Sequence, residues 1–270
     1  MVDCRAPAIA ACPSSGNSAR FPRFDSGPWL SPDAALAARR IRYLQLGGDT
    51  WNRCGIGWLN ADGAFDEGDG AQKPNRIYRD ETGRFIMRHE VSKHSRLPFR
   101  NGSFQLVYSE HMLEHMLPIS GGGINFLAEA YRVLAPGGVL RIVTPDLGKY
   151  ACALVTSSQS PGFLESHGSR FPPIESLSFG RYPSRAGMLN NLFRNYGHEW
   201  LYDWTELSLL VRRAGLPGVC RSDRAGAGLP RWTTHALKRA NEPRNRTQQC
   251  WLDQHVRAPE SLYAVVIKPS

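Results

Sequence analysis

The sequence predicts an α/β fold built around a parallel sheet, and three observations carry that prediction. Residues 97–146 read as strand, polar turn, helix, a Pro-Gly-Gly stop, a second apolar strand and an acidic end. Two parallel strands joined by a crossover helix produce that pattern. Upstream, the apolar stretch 41–46 (IRYLQL) runs directly into Gly47, Gly48 and Asp49, and glycine just past a strand lets backbone approach a ligand closely. Two more apolar stretches, 57–62 and 84–91, end in or near carboxylates, Asp62 and Glu90.

Size and composition bound the rest. A chain of 270 residues that is 41% hydrophobic is long enough for one large core, or for a domain with a lid. A mean hydropathy of -0.38, with no apolar run near the length of a membrane span, predicts a soluble protein without a membrane partner. The formal charge of +9 makes an acidic partner conceivable. The arginines are spread along the chain and interrupted by acids, and no RNA-binding module is visible, so nucleic acid is not the expected partner. Cys4, Cys12, Cys54, Cys152, Cys220 and Cys250 form no CxxC pair, and they read as reduced thiols in a cytoplasm.

Taken in order, residues 1–30 carry Pro, Ser, Gly and scattered Arg without periodicity and read as a flexible leader. Residues 9–12 (IAAC) resemble a lipoprotein cleavage box, but no apolar core precedes them. Ser31-Pro32-Asp33 followed by AALAARR predicts a capped helix with proline at its first position. Strands follow at 41–46 and 57–62, then a Gly/Asp/Lys-rich loop over 63–83 and a third strand at 84–91. Residues 104–108 form the fourth strand, and Glu110 begins a short helix that Pro118 stops. Ile124, Leu127, Ala128, Tyr131 and Leu134 share one helix face, which Pro136-Gly137-Gly138 ends before a fifth strand at 139–143. The remainder, 31–270, is expected to be a single domain with an insertion or lid at about 150–204, irregular over 157–185. Thr205 caps a helix over 206–214 that Gly215 ends. A sixth strand starts near Val219, residues 225–255 read as basic loop, and 262–268 (LYAVVIK) form the last strand.

The order strand-Gly, strand-Asp, strand-acid, LPF…SFQLVYSEHMLEH, YRVLAPGGVLRIVTPDL and ESLYAVVIKP resembles the class I S-adenosylmethionine-dependent methyltransferases. It is most similar to a small bacterial branch with EHxLEH, RVLxPGG and GHxWxYD motifs, and the likeness spans about residues 41–268. The resemblance implies a Rossmann-like, doubly wound, seven-stranded sheet of order 3-2-1-4-5-7-6 with strand 7 antiparallel, and S-adenosyl-L-methionine as cofactor at the carboxyl ends of the strands. Carried over residue by residue, Leu46, Gly47, Gly48 and Asp49 line the methionine end. Asp62 accepts from the ribose hydroxyls, Glu90 and Val91 lie beside the adenine, and Ser109, Glu110 and His111 lie near the reactive methyl. The family reads Gly-x-Gly after the first strand, and Asp49 stands in the third place. That departure keeps a second reading alive, a cofactor-degenerate fold acting as a binding or regulatory partner. Nucleic-acid methylation is a third.

Two histidines, His198 and His111, are the candidate catalytic residues, because imidazole titrates near neutrality and can serve as a general base. His111-Met112-Leu113-Glu114-His115 also spells HxxEH, an inverted zinc-peptidase pattern. That site needs a long helix, and Pro118 leaves no room for one, so no metal is expected. The basic positions Arg221, Arg224, Arg231, Lys238, Arg239, Arg244 and Arg246 read as a solvated face that can also hold an acidic substrate. The expected function is methyl transfer to an oxygen or nitrogen of a small-molecule acceptor, in cytoplasmic biosynthesis. Oligomeric state is not readable from the chain.

Overall fold

The structure is a computed structural model that describes residues 32–47, 54–63, 73–80, 83–90, 94–118, 120–155, 185–194, 196–223, 229–240 and 260–270. Within these lie β1 (Tyr43–Leu46), β2 (Trp58–Asp62), β3 (Ile77–Arg79), β4 (Phe85–Arg88), β5 (Phe104–Glu110), β6 (Leu134–Pro145), β7 (Cys220–Ser222) and β8 (Ser261–Ile267). The helices are α1 (Pro32–Arg39), α2 (Gly122–Val133), α3 (Leu147–Val155), α4 (Arg185–Arg194), α5 (Trp204–Arg213) and α6 (Arg231–Ala240).

The strands form one sheet of order β3-β4-β2-β1-β5-β6-β8-β7. β4, β2, β1, β5 and β6 run parallel, and β8 runs antiparallel between β6 and β7. The seven-stranded expectation needs one correction: an eighth strand, β3, pairs antiparallel with the outer edge of β4. Without it, the order is the expected 3-2-1-4-5-7-6 with the last strand reversed. β3 fell in the stretch read as loop because it has three residues and one buried side chain, Tyr78. Arg79 stacks over Phe85 at 5.0 Å, which screens the new edge with a charge.

Helices cover both faces. Leu44, Leu46, Leu59 and Met87 pack on one side against Phe126, Leu127, Val133, Leu207 and Leu210 of α2 and α5. Trp58, Tyr108, Val143 and Tyr263 pack on the other against Ala236 and Leu237 of α6. Each fully buried aliphatic or aromatic side chain here contributes about 1.5–3 kcal/mol. A satellite cluster of Tyr150, Ala153, Met188, Leu192 and Leu201 joins α3 to α4. Arg141 is fully buried in β6. It is held by the Ser222 hydroxyl at 3.1 Å, the Asp223 carbonyl at 2.7 Å and the Tyr263 ring.

Several local expectations shift. α2 ends at Val133, before the Pro-Gly-Gly turn, and that turn lies inside β6. The carbonyls of Tyr131 and Leu134 accept from Lys268 Nζ at 3.0 and 2.8 Å, so a lysine just past β8 helps close the C-terminal end of the helix. α5 is capped by Asp203, not Thr205: its Oδ1 accepts from Glu206 N at 2.8 Å. Glu110 ends β5 instead of starting a helix, and only a 3-10 turn, Leu113–His115, follows. The basic stretch read as loop over 225–255 contains α6, which buries Thr233, Ala236 and Leu237 at helical spacing. Cys54 and Cys220 are outside any disulfide, but Cys152 is disulfide-bonded, so the expectation of six reduced cysteines fails there. The leader 1–30, the Ser31 cap and most of the irregular insertion fall outside the described residues. No described helix is long and apolar enough to cross a membrane.

Candidate functional site

Because β4, β2, β1, β5 and β6 are parallel, their carboxyl ends share one edge. The sheet's winding reverses between β1 and β5, the place where open α/β sheets bind ligands. Register sets the neighbours there: Leu46 pairs with Ala61 on one side and Ser109 on the other.

Gly47 follows β1 with φ +79°, and its N–H donates to the Ala61 carbonyl at 3.0 Å. A Cβ added there would stand 2.7 Å from Met112 Cβ. Glycine is therefore required twice, for its backbone conformation and for the close pass of the turn after β5. Leu46 itself is in the core, 1% exposed, so only its backbone reaches the edge. Asp62 ends β2 half-buried, and its carbonyl accepts from His89 N at 3.0 Å. Glu90, two residues past β4, is exposed and lies against Gly63, 3.4 Å from its ideal Cβ. The edge thus brings together Gly47, Asp62, Glu90, Ser109, Glu110 and His111. Gly48, Asp49 and Val91 lie outside the described residues.

Ser109 is 1% exposed, and its hydroxyl has no hydrogen-bond partner in the structure. A buried hydroxyl without a partner beside Leu46 has hydrogen-bonding capacity that the fold itself does not use. Glu110 points to the other face, where its Oε2 accepts from Tyr108 Oη at 2.9 Å. This fixes the carboxylate among aromatic side chains.

His111 has φ +49°, a left-handed backbone that non-glycine residues seldom adopt and that clusters at functional sites. Its N–H donates to the Val143 carbonyl at 2.8 Å, which holds the turn. Its Nδ1 stands 3.4 Å from Glu114 Oε1, and its Nε2 lies 2.9 Å from Ser261 Oγ. Glu114 is fully buried, with Oε2 accepting from Thr144 Oγ1 at 3.1 Å. His198 joins from the far side: Nε2 is 3.9 Å from Glu114 Oε1, and Nδ1 is 2.7 Å from the Leu192 carbonyl. Both candidate catalytic histidines therefore meet at one carboxylate.

Residues 198–202 cross this edge as a strap fastened by backbone atoms. Glu199 and Trp200 donate to the Glu114 carbonyl at 2.8 and 3.0 Å. Leu147 N donates to the Tyr202 carbonyl at 2.9 Å, and Tyr202 bridges Asp146 in parallel register. Burial, then the Glu114 and Glu206 carboxylates, push the Tyr202 phenol well above its usual range. Beyond the strap, Asp146 is raised by burial and Lys149 is lowered by burial. Lys149 Nζ donates to the Ser261 carbonyl at 2.6 Å, and Tyr150 donates to Glu260 at 2.7 Å.

The sequence pointed to the histidines and set Glu114 aside with the zinc pattern, but it did not point to Ser261, which meets His111, or to Thr144, which holds Glu114. The available signal was Glu114 itself, a carboxylate beside an apolar residue in a turn between two core elements. A charge forced into that place must find partners.

Residues 72–142 match the family model described as a methyltransferase domain. That span contains Glu90, Ser109, Glu110, His111 and Glu114. S-adenosylmethionine is the cofactor expected with it. No curated protein matches. Among solved structures, the chain is similar to a SAM-dependent methyltransferase from Archaeoglobus fulgidus, at 13% identity and TM-score 0.41, over 87% of this chain and 92% of that one. It is also similar to an S-adenosylmethionine-dependent methyltransferase from Mesorhizobium loti, at 16% identity and TM-score 0.40, over 87% and 96% of the two chains. At scores this low the likenesses carry no argument of their own.

Proposed function

We propose that this chain, with a methyltransferase domain over residues 72–142, transfers a methyl group from S-adenosylmethionine to an oxygen or nitrogen of a small-molecule acceptor. The observation that carries the reading is the carboxyl edge where the winding reverses, with Gly47, Asp62 and the orphan Ser109 hydroxyl grouped on it. Those residues fit the cofactor. Backbone approach at Gly47 suits the methionine end, Asp62 can accept from ribose hydroxyls, Glu90 can accept from an adenine amine, and Ser109 has hydrogen-bonding capacity to give.

The bound cofactor supplies a methyl on a sulfonium, already a strong leaving group. The chain's own residues then orient the acceptor in line and exclude water. A base is needed only where the acceptor loses a proton on attack, and in this reading His111 supplies it. With Nδ1–H turned to Glu114, its Nε2 keeps a lone pair, to which Ser261 Oγ–H donates at 2.9 Å. An acceptor hydroxyl in place of Ser261 meets the same lone pair. His198, with a side chain 5% exposed and turned to Glu114, has less access, and its part is to position.

Calorimetry with S-adenosylmethionine and its demethylated product tests the reading. Binding of both is expected. Absence of binding at millimolar cofactor would leave a binding or regulatory fold, the reading that Asp49 motivates. His111→Ala is expected to slow turnover on a hydroxyl acceptor more than on a neutral amine. If neither His111→Ala nor His198→Ala slows it, alignment alone accounts for catalysis.

A further inference from the structure

Glu114, His115 and His198 each offer a ligand atom, and the three atoms lie within 4.8 Å of one another. His115 and Glu114 come from the 3-10 turn after β5, whereas His198 arrives 83 positions later at the start of the strap. The two imidazole rings sit 4.9 Å apart at 68°.

Each ring is fixed through its Nδ1 by a backbone carbonyl, Gly197 for His115 at 3.1 Å and Leu192 for His198 at 2.7 Å. A carbonyl only accepts, so both Nδ1 atoms carry the proton. In the neutral ring, Nε2 is then unprotonated and able to ligate. Metal-binding histidines are oriented in this way, with the distal N–H given to a carbonyl or carboxylate. His198 Nε2 faces Glu114 Oε1 at 3.9 Å, in a place where both side chains are 5% exposed or less. That separation is too long for a hydrogen bond. With the ring neutral, a cation between these two atoms satisfies both. Two tetrahedral zinc ligands stand about 3.3–3.5 Å apart, so a closure of about 0.5 Å between His198 and Glu114, and of no more than about 1.5 Å for the widest pair, forms the site.

We propose that Glu114, His115 and His198 bind one zinc ion. Two imidazoles and a carboxylate suit zinc, and three protein ligands leave a fourth position for water or for a ligand atom. This is not the zinc-peptidase pairing of His111 with His115. His111 instead holds Glu114 from outside the ligand set, through Nδ1 at 3.4 Å. The ion ties the turn after β5 to the strap, and leaves His111 as the histidine for proton transfer.

The test uses the full, tag-free chain, stripped with chelator and titrated with Co2+ as a spectroscopic probe, then with Zn2+ in competition. One equivalent of Co2+ with visible d–d bands of a four-coordinate site is expected, displaced by Zn2+. His115→Ala and His198→Ala should each weaken Zn2+ binding by at least about tenfold, and Zn2+ should raise the Tm of the parent and not of His115→Ala. His115 is only half-buried, so that variant is expected to fold, which far-UV circular dichroism verifies. Absence of the bands, or affinity unchanged in both variants, overturns the proposal. Zinc binding is measured without cofactor, so it stands or falls separately from methyl transfer.

Discussion

Around Gly47, Asp62 and Glu90, the carboxyl edge of the sheet is half-buried to exposed and rests on backbone geometry. Across β5, the same edge is buried and rests on paired side chains: Glu114 with Thr144, His111 with Ser261, Lys149 with the Ser261 carbonyl. The first region can change partners at little cost, because water replaces whatever leaves. The second cannot, because a buried polar group that loses its partner has no water to turn to. A ligand is thus expected to select the first region's contacts, and the second to set the frame in which an acceptor is held.

The sharpest way to break that contrast is Glu114→Ala. It leaves the Thr144 hydroxyl and the His111 Nδ1–H without their buried acceptor, and unfolding stability should fall by about 3 kcal/mol, read as a lower denaturant midpoint at unchanged m-value. A loss under about 0.5 kcal/mol would mean the buried half is as replaceable as the open one. Next is Gly47→Ala, which places a Cβ 2.7 Å from Met112 Cβ in a left-handed backbone. A cost of about 1–3 kcal/mol is expected, with weaker cofactor binding by calorimetry. Asp62→Asn should separate binding from folding. Stability stays put, while cofactor affinity drops about tenfold, as for a lost charge-assisted hydrogen bond.

The smallest effect is a pH dependence within the open half. His89 is 6% exposed, and burial holds its imidazole below the usual value of 6.5 despite the Glu129 and Glu90 carboxylates. A depressed histidine takes up its proton more readily unfolded. Its contribution is therefore present above pH 6.5 and lost as pH falls through the folded-state value, by at most about 1.4 kcal/mol per pH unit. Urea midpoints between pH 5 and 8 should show this slope in the parent and a flatter one in His89→Gln.

The parallel strands were legible because each is an apolar run of strand length. α2 was legible as a helix but its face was not: of Ile124, Leu127, Ala128 and Tyr131 only Leu127 is buried, and the core side is Phe126, Leu127, Ala130 and Val133, the side on which Gly122 and Gly123 are also buried. β3 was not, since three residues carry too little alternation to register. α6 was not, since its basic side chains masked the Thr233, Ala236, Leu237 spacing. The site divided the same way. Gly47 and Asp62 announce themselves locally, as a glycine after a strand and an acid at a strand end. The meeting of His111, Glu114 and His198 depends on how a segment 84 positions beyond Glu114 is laid across the sheet, and no local pattern encodes that.

The strap over residues 198–202 is fixed to Glu114 and Leu147 through amide and carbonyl atoms that every residue but proline can offer. At position 199 the exposed side chain adds one further tie, its Oε2 accepting from Leu117 N at 3.1 Å, on top of the backbone bonds that set the path. Such a segment is a tolerant place in the chain: exchanges there leave the backbone ties, and the framework beneath keeps its shape. A library randomised at position 199 should yield mostly folded variants, and selection for a new acceptor has a natural place to begin.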